Sequence, residues 1–189
     1  MVDNKVQAFI ELAGQKSATK LQTGTAEQRK LGAQLLLSEV LEYIISGLGV
    51  TPEFNGTKIT DANALTYSAT TEPDLIEMVD GLADTAYTMY WNSVTFGVPL
   101  EQAYDMVCDN NLEKFVSLDS WTKGVGAVEQ VEWNFGKGVN WPAEVTTVEV
   151  IDYQGAFYAV GKDKNGKVRK PSSYAPLNLS AFVEQAIAR

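Results

Sequence analysis

Residues 73–100 read PDLIEMVDGLADTAYTMYWNSVTFGVPL. Pro73 sits where the first turn of a helix has no use for the N–H that proline lacks. The group Gly97-Val98-Pro99 ends the run. Between these marks Leu75, Ile76, Met78, Val79, Leu82, Ala83, Ala86, Tyr87, Met89 and Tyr90 cover most of a helical circumference. An element apolar nearly all round is predicted to lie in the centre of the fold. The link at 97–99 is short, so a further helix from Leu100 to about Val116 is expected antiparallel beside it.

Working outward, Val2 to Gln15 suits a short helix, and Thr25 before Ala26-Glu27-Gln28 supplies an N-cap and an early acid for a second helix reaching about Leu48. A polar connection covers Thr51 to Thr71. Beyond Phe115 the texture changes: Lys123 to Trp141 reads as an irregular excursion rich in Gly, Asn and Trp. Val145–Asp152 and Ala156–Lys162 are β-prone, with Gln154-Gly155 as a tight turn between them and Lys164-Asn165-Gly166 as a second turn into Val168. A last helix is expected from about Leu179 to Ala188. The expected fold class is mainly α, one domain over 1–189, with a helical core of about 1–117 closed by 179–188. A small β-meander then occupies an insertion of about 118–170.

The composition removes several chemistries. The 189 residues include no His, which excludes imidazole catalysis and His-ligated zinc, and a single Cys108, which excludes an internal disulfide and a four-thiolate metal site. A net charge of −9 argues against a nucleic-acid surface. The opening MVDNKVQAFIELAGQK lacks the apolar core of a signal peptide, and no stretch approaches the ~18 apolar residues of a membrane span. With one thiol, these features fit a cytoplasmic protein. No G-x-x-x-x-G-K-[ST] phosphate loop is present.

The acids point further. Between Lys30 and Lys114 lie thirteen Asp and Glu residues and one base, Lys58. Four of the acids fall as Glu39-x-x-Glu42 and Glu77-x-x-Asp80 inside apolar helical runs, and Asp84 extends the second strip. Residues three or four apart share a helix face. Two like charges ~4 Å apart repel by about 4 kcal/mol at an effective dielectric near 20, so facing strips would call for a hard, oxygen-seeking cation such as Mg²⁺ or Mn²⁺. The alternative is that both strips are solvated faces of amphipathic helices.

The arrangement resembles the MazG-like, all-α nucleoside triphosphate pyrophosphohydrolases, over roughly Ala26 to Phe115 with a short return near the C-terminus. Leu37-Ser38-Glu39-Val40-Leu41-Glu42 is similar to the family's E-E-x-x-E, with Ser38 in place of its first acid, and Glu77-Met78-Val79-Asp80 matches E-x-x-D. Asp80-Gly81-Leu82-Ala83-Asp84-Thr85-Ala86-Tyr87 is similar to a D-G-L-A-D-x-x-Y stretch of phage and bacterial members. Asn111-Leu112-Glu113-Lys114 looks like their N-x-x-K, and Gly166–Lys170 with Tyr174-Ala175-Pro176 resembles their G-K-x-x-K and Y-x-x-P ending.

The resemblance implies a helical bundle, Mg²⁺ held by Glu39, Glu42, Glu77 and Asp80 or Asp84, and cleavage of a nucleoside triphosphate to monophosphate and pyrophosphate. Glu39 and Glu42 would be catalytic. Asn111, Lys114, Tyr87, Lys167 and Lys170 would approach the substrate, and the assembly would be a homodimer or dimer of dimers. Ser38 removes a carboxylate, so either Glu39 serves as base or activity is reduced. Tyr87, Tyr90, Trp91 and Trp121 either stack a base or belong to the core. The competing readings are a helical interaction module whose acids are solvated, and a degenerate member that binds nucleotides without turnover.

Overall fold

The computed structural model describes residues 4–188. Its helices are α1 (Asn4–Leu12), α2 (Ala26–Glu42), α3 (Leu75–Phe96), α4 (Leu100–Leu112) and α5 (Ser180–Ile187). Its strands are β1 (Glu53–Phe54), β2 (Thr57–Lys58), β3 (Val116–Ser117), β4 (Gly126–Ala127), β5 (Val145–Tyr153) and β6 (Ala156–Asp163). The chain divides into two compact units, 18–87 and the remainder, and the boundary falls within α3.

The larger unit is organised on an antiparallel sheet in the order β3-β6-β5-β4. Gln154 and Gly155 both take positive φ at the β5–β6 turn, the backbone that a two-residue hairpin loop needs to match strand twist. The pairing places Val150 opposite Ala159 and Ile151 opposite Tyr158, and side chains alternate between two covered faces. On one face Val145, Val148, Val150 and Ala159 pack with Val116, Leu118 and Val139 under Trp121, Trp133, Phe135 and Trp141. On the other, Val160, Ile151, Tyr153 and Tyr158 meet Leu12, Ala13, Phe115, Phe9 and Leu112. Val148, Val150, Ala159 and Val160 are completely buried.

These observations correct the mainly-α expectation. The fold is mixed, 43% helix and 14% strand, and the sheet is the core of its unit where an appendage to a helical bundle was expected. Central strands with both faces covered bury the apolar side chains of every second position on each side. The excursion before β5 is the lid that makes this so. Trp133 Nε1 donates to the Val128 carbonyl at 2.9 Å, and Trp141 Nε1 to the Trp133 carbonyl at 3.0 Å. Each ring is thereby half-buried with its one polar atom satisfied.

Several element boundaries also move. The first helix ends at Leu12, short of Gln15, and Val2 lies outside the described residues. The fourth stops at Leu112, because Val116 and Ser117 pair with Ala159 and Tyr158. The second keeps its predicted start: Thr25 Oγ1 accepts from the Gln28 N–H at 3.2 Å, and Gln28 Oε1 accepts from the Thr25 N–H at 2.8 Å, a capping box. Its α register ends at Glu42, and a π-helical turn, Tyr43–Gly47, follows.

α3 departs most from expectation. It has the predicted length, yet none of its residues is buried. Ile76 is 77% exposed, Leu82 66% and Val94 83%. The unit 18–87 buries only Leu41 and Ala62 among the described residues, and within that unit no layer covers the apolar helix.

Candidate functional site

The five predicted carboxylates, Glu39, Glu42, Glu77, Asp80 and Asp84, all belong to the unit 18–87 and all are exposed. None of them takes part in a salt bridge among the described residues. Glu39 and Glu42 stand one turn apart at the end of α2. The π-helical turn after Glu42 carries Ile45 and Ser46 round to line a hollow of about 290 Å³, shared with Ser38, Leu41, Glu42 and the segment Thr60–Asn63. Such one-turn expansions frequently mark functional positions.

Asp61 is the residue that sequence reasoning missed at this place. Its Oδ1 accepts from the Asn63 N–H at 2.8 Å and from the Asn63 side-chain amide at 2.8 Å. These donors, the backbone one foremost, hold its carboxyl below the usual carboxylate range. The Asn63 Oδ1 in turn accepts from Gln34 Nε2 at 2.9 Å, which ties the Asp61 turn to α2. The signal was available, because Asp-x-Asn favours an Asx turn, although nothing in it said that the turn docks beside Glu42. Ser38 Oγ donates to its own helix at the Gln34 carbonyl, 2.9 Å away.

The second acid strip lies elsewhere in the same unit. Asp80 borders an apolar hollow of about 400 Å³ with Leu21, Leu75, Ile76, Val79 and Ala83. Within this one chain the two strips do not converge, and no group of three or more acids among the described residues is placed to hold a metal ion. The Glu42 hollow offers two carboxylates with hydroxyl and amide oxygens. That donor set fits Mg²⁺, which is usually held by one or two carboxylates and keeps several waters.

The predicted substrate contacts fall into both units. Tyr87 is 69% exposed and belongs with the carboxylates. Asn111, Lys114, Lys167 and Lys170 belong to the sheet-containing unit. There Lys114 Nζ donates to Asn111 Oδ1 at 2.7 Å and lies 5.6 Å from the centre of the Phe9 ring. Lys170 stands 4.8 Å over the Tyr174 ring, and the Lys167 N–H donates to Asp163 at 3.0 Å. Of the aromatic candidates, Trp121 packs on the sheet and edge-on to Phe135, whereas Tyr90 and Trp91 are exposed.

Asn110, next to the predicted Asn111, proves to be the structural anchor. It is buried, accepts from the Tyr174 hydroxyl at 2.5 Å and donates to the Ala175 carbonyl at 2.8 Å. The segment around Tyr174 and Ala175 is thus held at the end of α4. Asp163 is buried as well, and accepts from the Asn165 and Lys167 N–H groups and from Arg169 at 2.6 Å. Burial pushes its carboxyl upward, but the backbone donors and the guanidinium outweigh that and hold it below the usual range.

Compared with protein-family models, with curated proteins and with solved structures, the chain matches none. No helix among the described residues is long and apolar enough to cross a membrane.

Proposed function

We propose that this protein is a Mg²⁺-dependent nucleoside triphosphate pyrophosphohydrolase, related to the MazG-like enzymes through its motifs. The observation that carries the reading is the pair of helical acid strips, Glu39/Glu42 and Glu77/Asp80, exposed in one unit and free of salt bridges among the described residues. Solvated helix faces ordinarily intersperse Lys or Arg so that neighbouring charges pair. These do not.

Water attacks the α-phosphorus, the bond from that phosphorus to the bridging oxygen breaks, and pyrophosphate leaves. Glu39 or Glu42 takes the proton of the attacking water. Ser38, which cannot ionise, leaves that role to them. Bound Mg²⁺ supplies charge neutralisation and acidifies water. Positioning and electrostatics dominate phosphoryl transfer, so the placing of these carboxylates about the phosphate chain is their main contribution.

The partner that completes the assembly is a second copy of the chain, as a homodimer or dimer of dimers. A unit of this size that buries only Leu41 and Ala62 has too small a core to stand alone. Apolar surface of this extent marks an interaction face. Its occupant carries the remaining carboxylates that one chain leaves apart. We place the protein in the cytoplasm, acting on free nucleotides.

The test is a panel of standard and non-standard nucleoside triphosphates with Mg²⁺, read as release of pyrophosphate and monophosphate. Turnover of one or more, lost in chelator, is the expected result. Orthophosphate alone, or no release with any nucleotide, sinks the assignment. The exposed α3 face also favours a second reading, a helical interaction module, for which Mg²⁺ would leave thermal stability unchanged.

A further inference from the structure

Along α2 the Glu42 hollow has a neighbour of opposite character. Between the first turns of α2 and the segment Thr66–Pro73 lies a cavity of about 420 Å³, within the ~300–1,000 Å³ of small-molecule clefts. Its lining includes two cations, Arg29 and Lys30, and no carboxylate. The other charged hollows carry acids: Glu42 with Asp61, Asp80, and Glu184. Residues 18–87 contain just four Lys and Arg, namely Lys20, Arg29, Lys30 and Lys58. Two of the four stand in this cavity.

The opposite wall is built to donate. Its lining includes the hydroxyl-bearing residues Thr66, Ser68, Thr70 and Thr71. Among the described residues, the N–H groups of Thr66 to Thr71 give no hydrogen bond to any backbone carbonyl. They are left for water or a ligand, as required of exposed backbone donors. Arg29 is half-buried and held in place by one bond, from Nη1 to the Gly24 carbonyl at 2.9 Å, which leaves the rest of its fork available. Neither Arg29 nor Lys30 has a salt bridge among the described residues. Glu27 feels the field of both cations but does not line the cavity.

We propose that this cavity is a phosphate-chain site: it binds a diphosphate or triphosphate group through Arg29, Lys30 and the donors of Thr66–Thr71. A planar guanidinium, a point ammonium and a row of hydroxyl and amide donors together match the oxygens of a phosphate chain. The lining itself holds no carboxylate to oppose it; Glu27 and Glu72 are near in space or sequence but are not among the lining residues. The site is separate from the acid strips and needs no metal, so it stands or falls independently of the pyrophosphohydrolase reading. The same phosphate chain could arrive as free pyrophosphate or as the tail of a nucleotide.

The test is isothermal titration of the full chain, in EDTA and low salt, with pyrophosphate and separately with α,β-methylene adenosine triphosphate. The proteins are the wild type, Arg29→Gln/Lys30→Gln, and the charge-matched control Lys20→Gln/Lys58→Gln. The expected result is saturable binding to the wild type, weakened about tenfold or more in the first variant, as for the loss of charge-assisted hydrogen bonds, and little changed in the control. Binding of both ligands would assign the site to phosphate chains from either source, and binding of the nucleotide alone would assign it to a nucleotide tail. Ser68→Ala/Thr70→Val, which leaves α2 intact, should weaken binding by itself and guards against a folding defect in the charge variant. No binding to the wild type, or equal losses in the cavity variants and the control, would overturn the proposal.

Discussion

The Tyr174 hydroxyl donates a 2.5 Å hydrogen bond to Oδ1 of Asn110, one of two bonds that hold the irregular segment around Tyr174 on the end of α4. Asn110 is buried and spends its amide on the Ala175 carbonyl, 2.8 Å away. Tyr174→Phe removes the donor and leaves a buried acceptor unsatisfied, a loss of about 1–3 kcal/mol. Asn110→Ala should cost at least as much, whereas Asn111→Ala should cost less. Urea denaturation of the three variants checks the order.

Gly161 lies beneath the Trp141 ring. A Cβ built there would come within 2.3 Å of the ring carbons, and the ring is held by its bond to the Trp133 carbonyl. Gly161→Ala is therefore expected to destabilise by about 1–3 kcal/mol through overpacking. Combining it with Trp141→Leu should cost less than the sum of the two single changes. Denaturation of all three variants measures that coupling.

Asp163 sets an acid limit on stability. Its carboxyl titrates below its value in the unfolded chain, because the Lys167 and Asn165 N–H groups and Arg169 outweigh the effect of burial. The sign follows from linkage: the contribution is present above the unfolded carboxylate pKa and is lost as pH falls through the lower folded value. Asp163→Asn should lower stability near neutral pH by about 1.5–3 kcal/mol and flatten the acid side of the stability profile. Thermal melts of both proteins from neutral to acid pH read this directly.

Much of this structure was legible in the sequence for local reasons. Thr25 capped α2 because hydroxyl-x-x-Gln is a self-contained capping box. Gln154-Gly155 made the hairpin turn because positive φ is tolerated there. The global layout was not legible. Val148 and Val160 look like residues of any modest strand, and only the docking of Trp133 and Trp141 on one face and of α1 on the other makes the sheet a core. α3 misled in the opposite direction: its all-round apolar pattern signals burial, yet none of its residues is buried. The site shows the same division. Glu39 and Glu42 share a face by helical pitch alone, while the docking of Asp61 beside Glu42 depends on a path through Asn63 and Gln34 that no spacing encodes.

The exposed face of α3 predicts self-association. Wild-type protein should sediment as a dimer or tetramer, and Ile76→Glu/Leu82→Glu should shift it towards monomer, because a charge cannot be desolvated in an apolar contact. Wild-type monomer at every concentration tested would contradict the assembly proposed above.

The acid strips predict metal linkage. Mg²⁺ at a hundred times its dissociation constant should stabilise the fold by about 2.7 kcal/mol, and Glu42→Gln or Glu77→Gln should abolish that gain. The same substitutions should lower turnover by about 10²-fold or more and leave the circular dichroism spectrum unchanged. Normal activity in both variants would remove these residues from the site.

Water attack at the α-phosphorus leaves an isotopic signature in the products. The most direct measurement is turnover of the preferred nucleoside triphosphate in H₂¹⁸O with Mg²⁺, with both products analysed by mass spectrometry. Equal amounts of monophosphate and pyrophosphate are expected, with one ¹⁸O in the monophosphate and none in the pyrophosphate. Label in pyrophosphate or in orthophosphate, or an absence of turnover with every nucleotide, would contradict it.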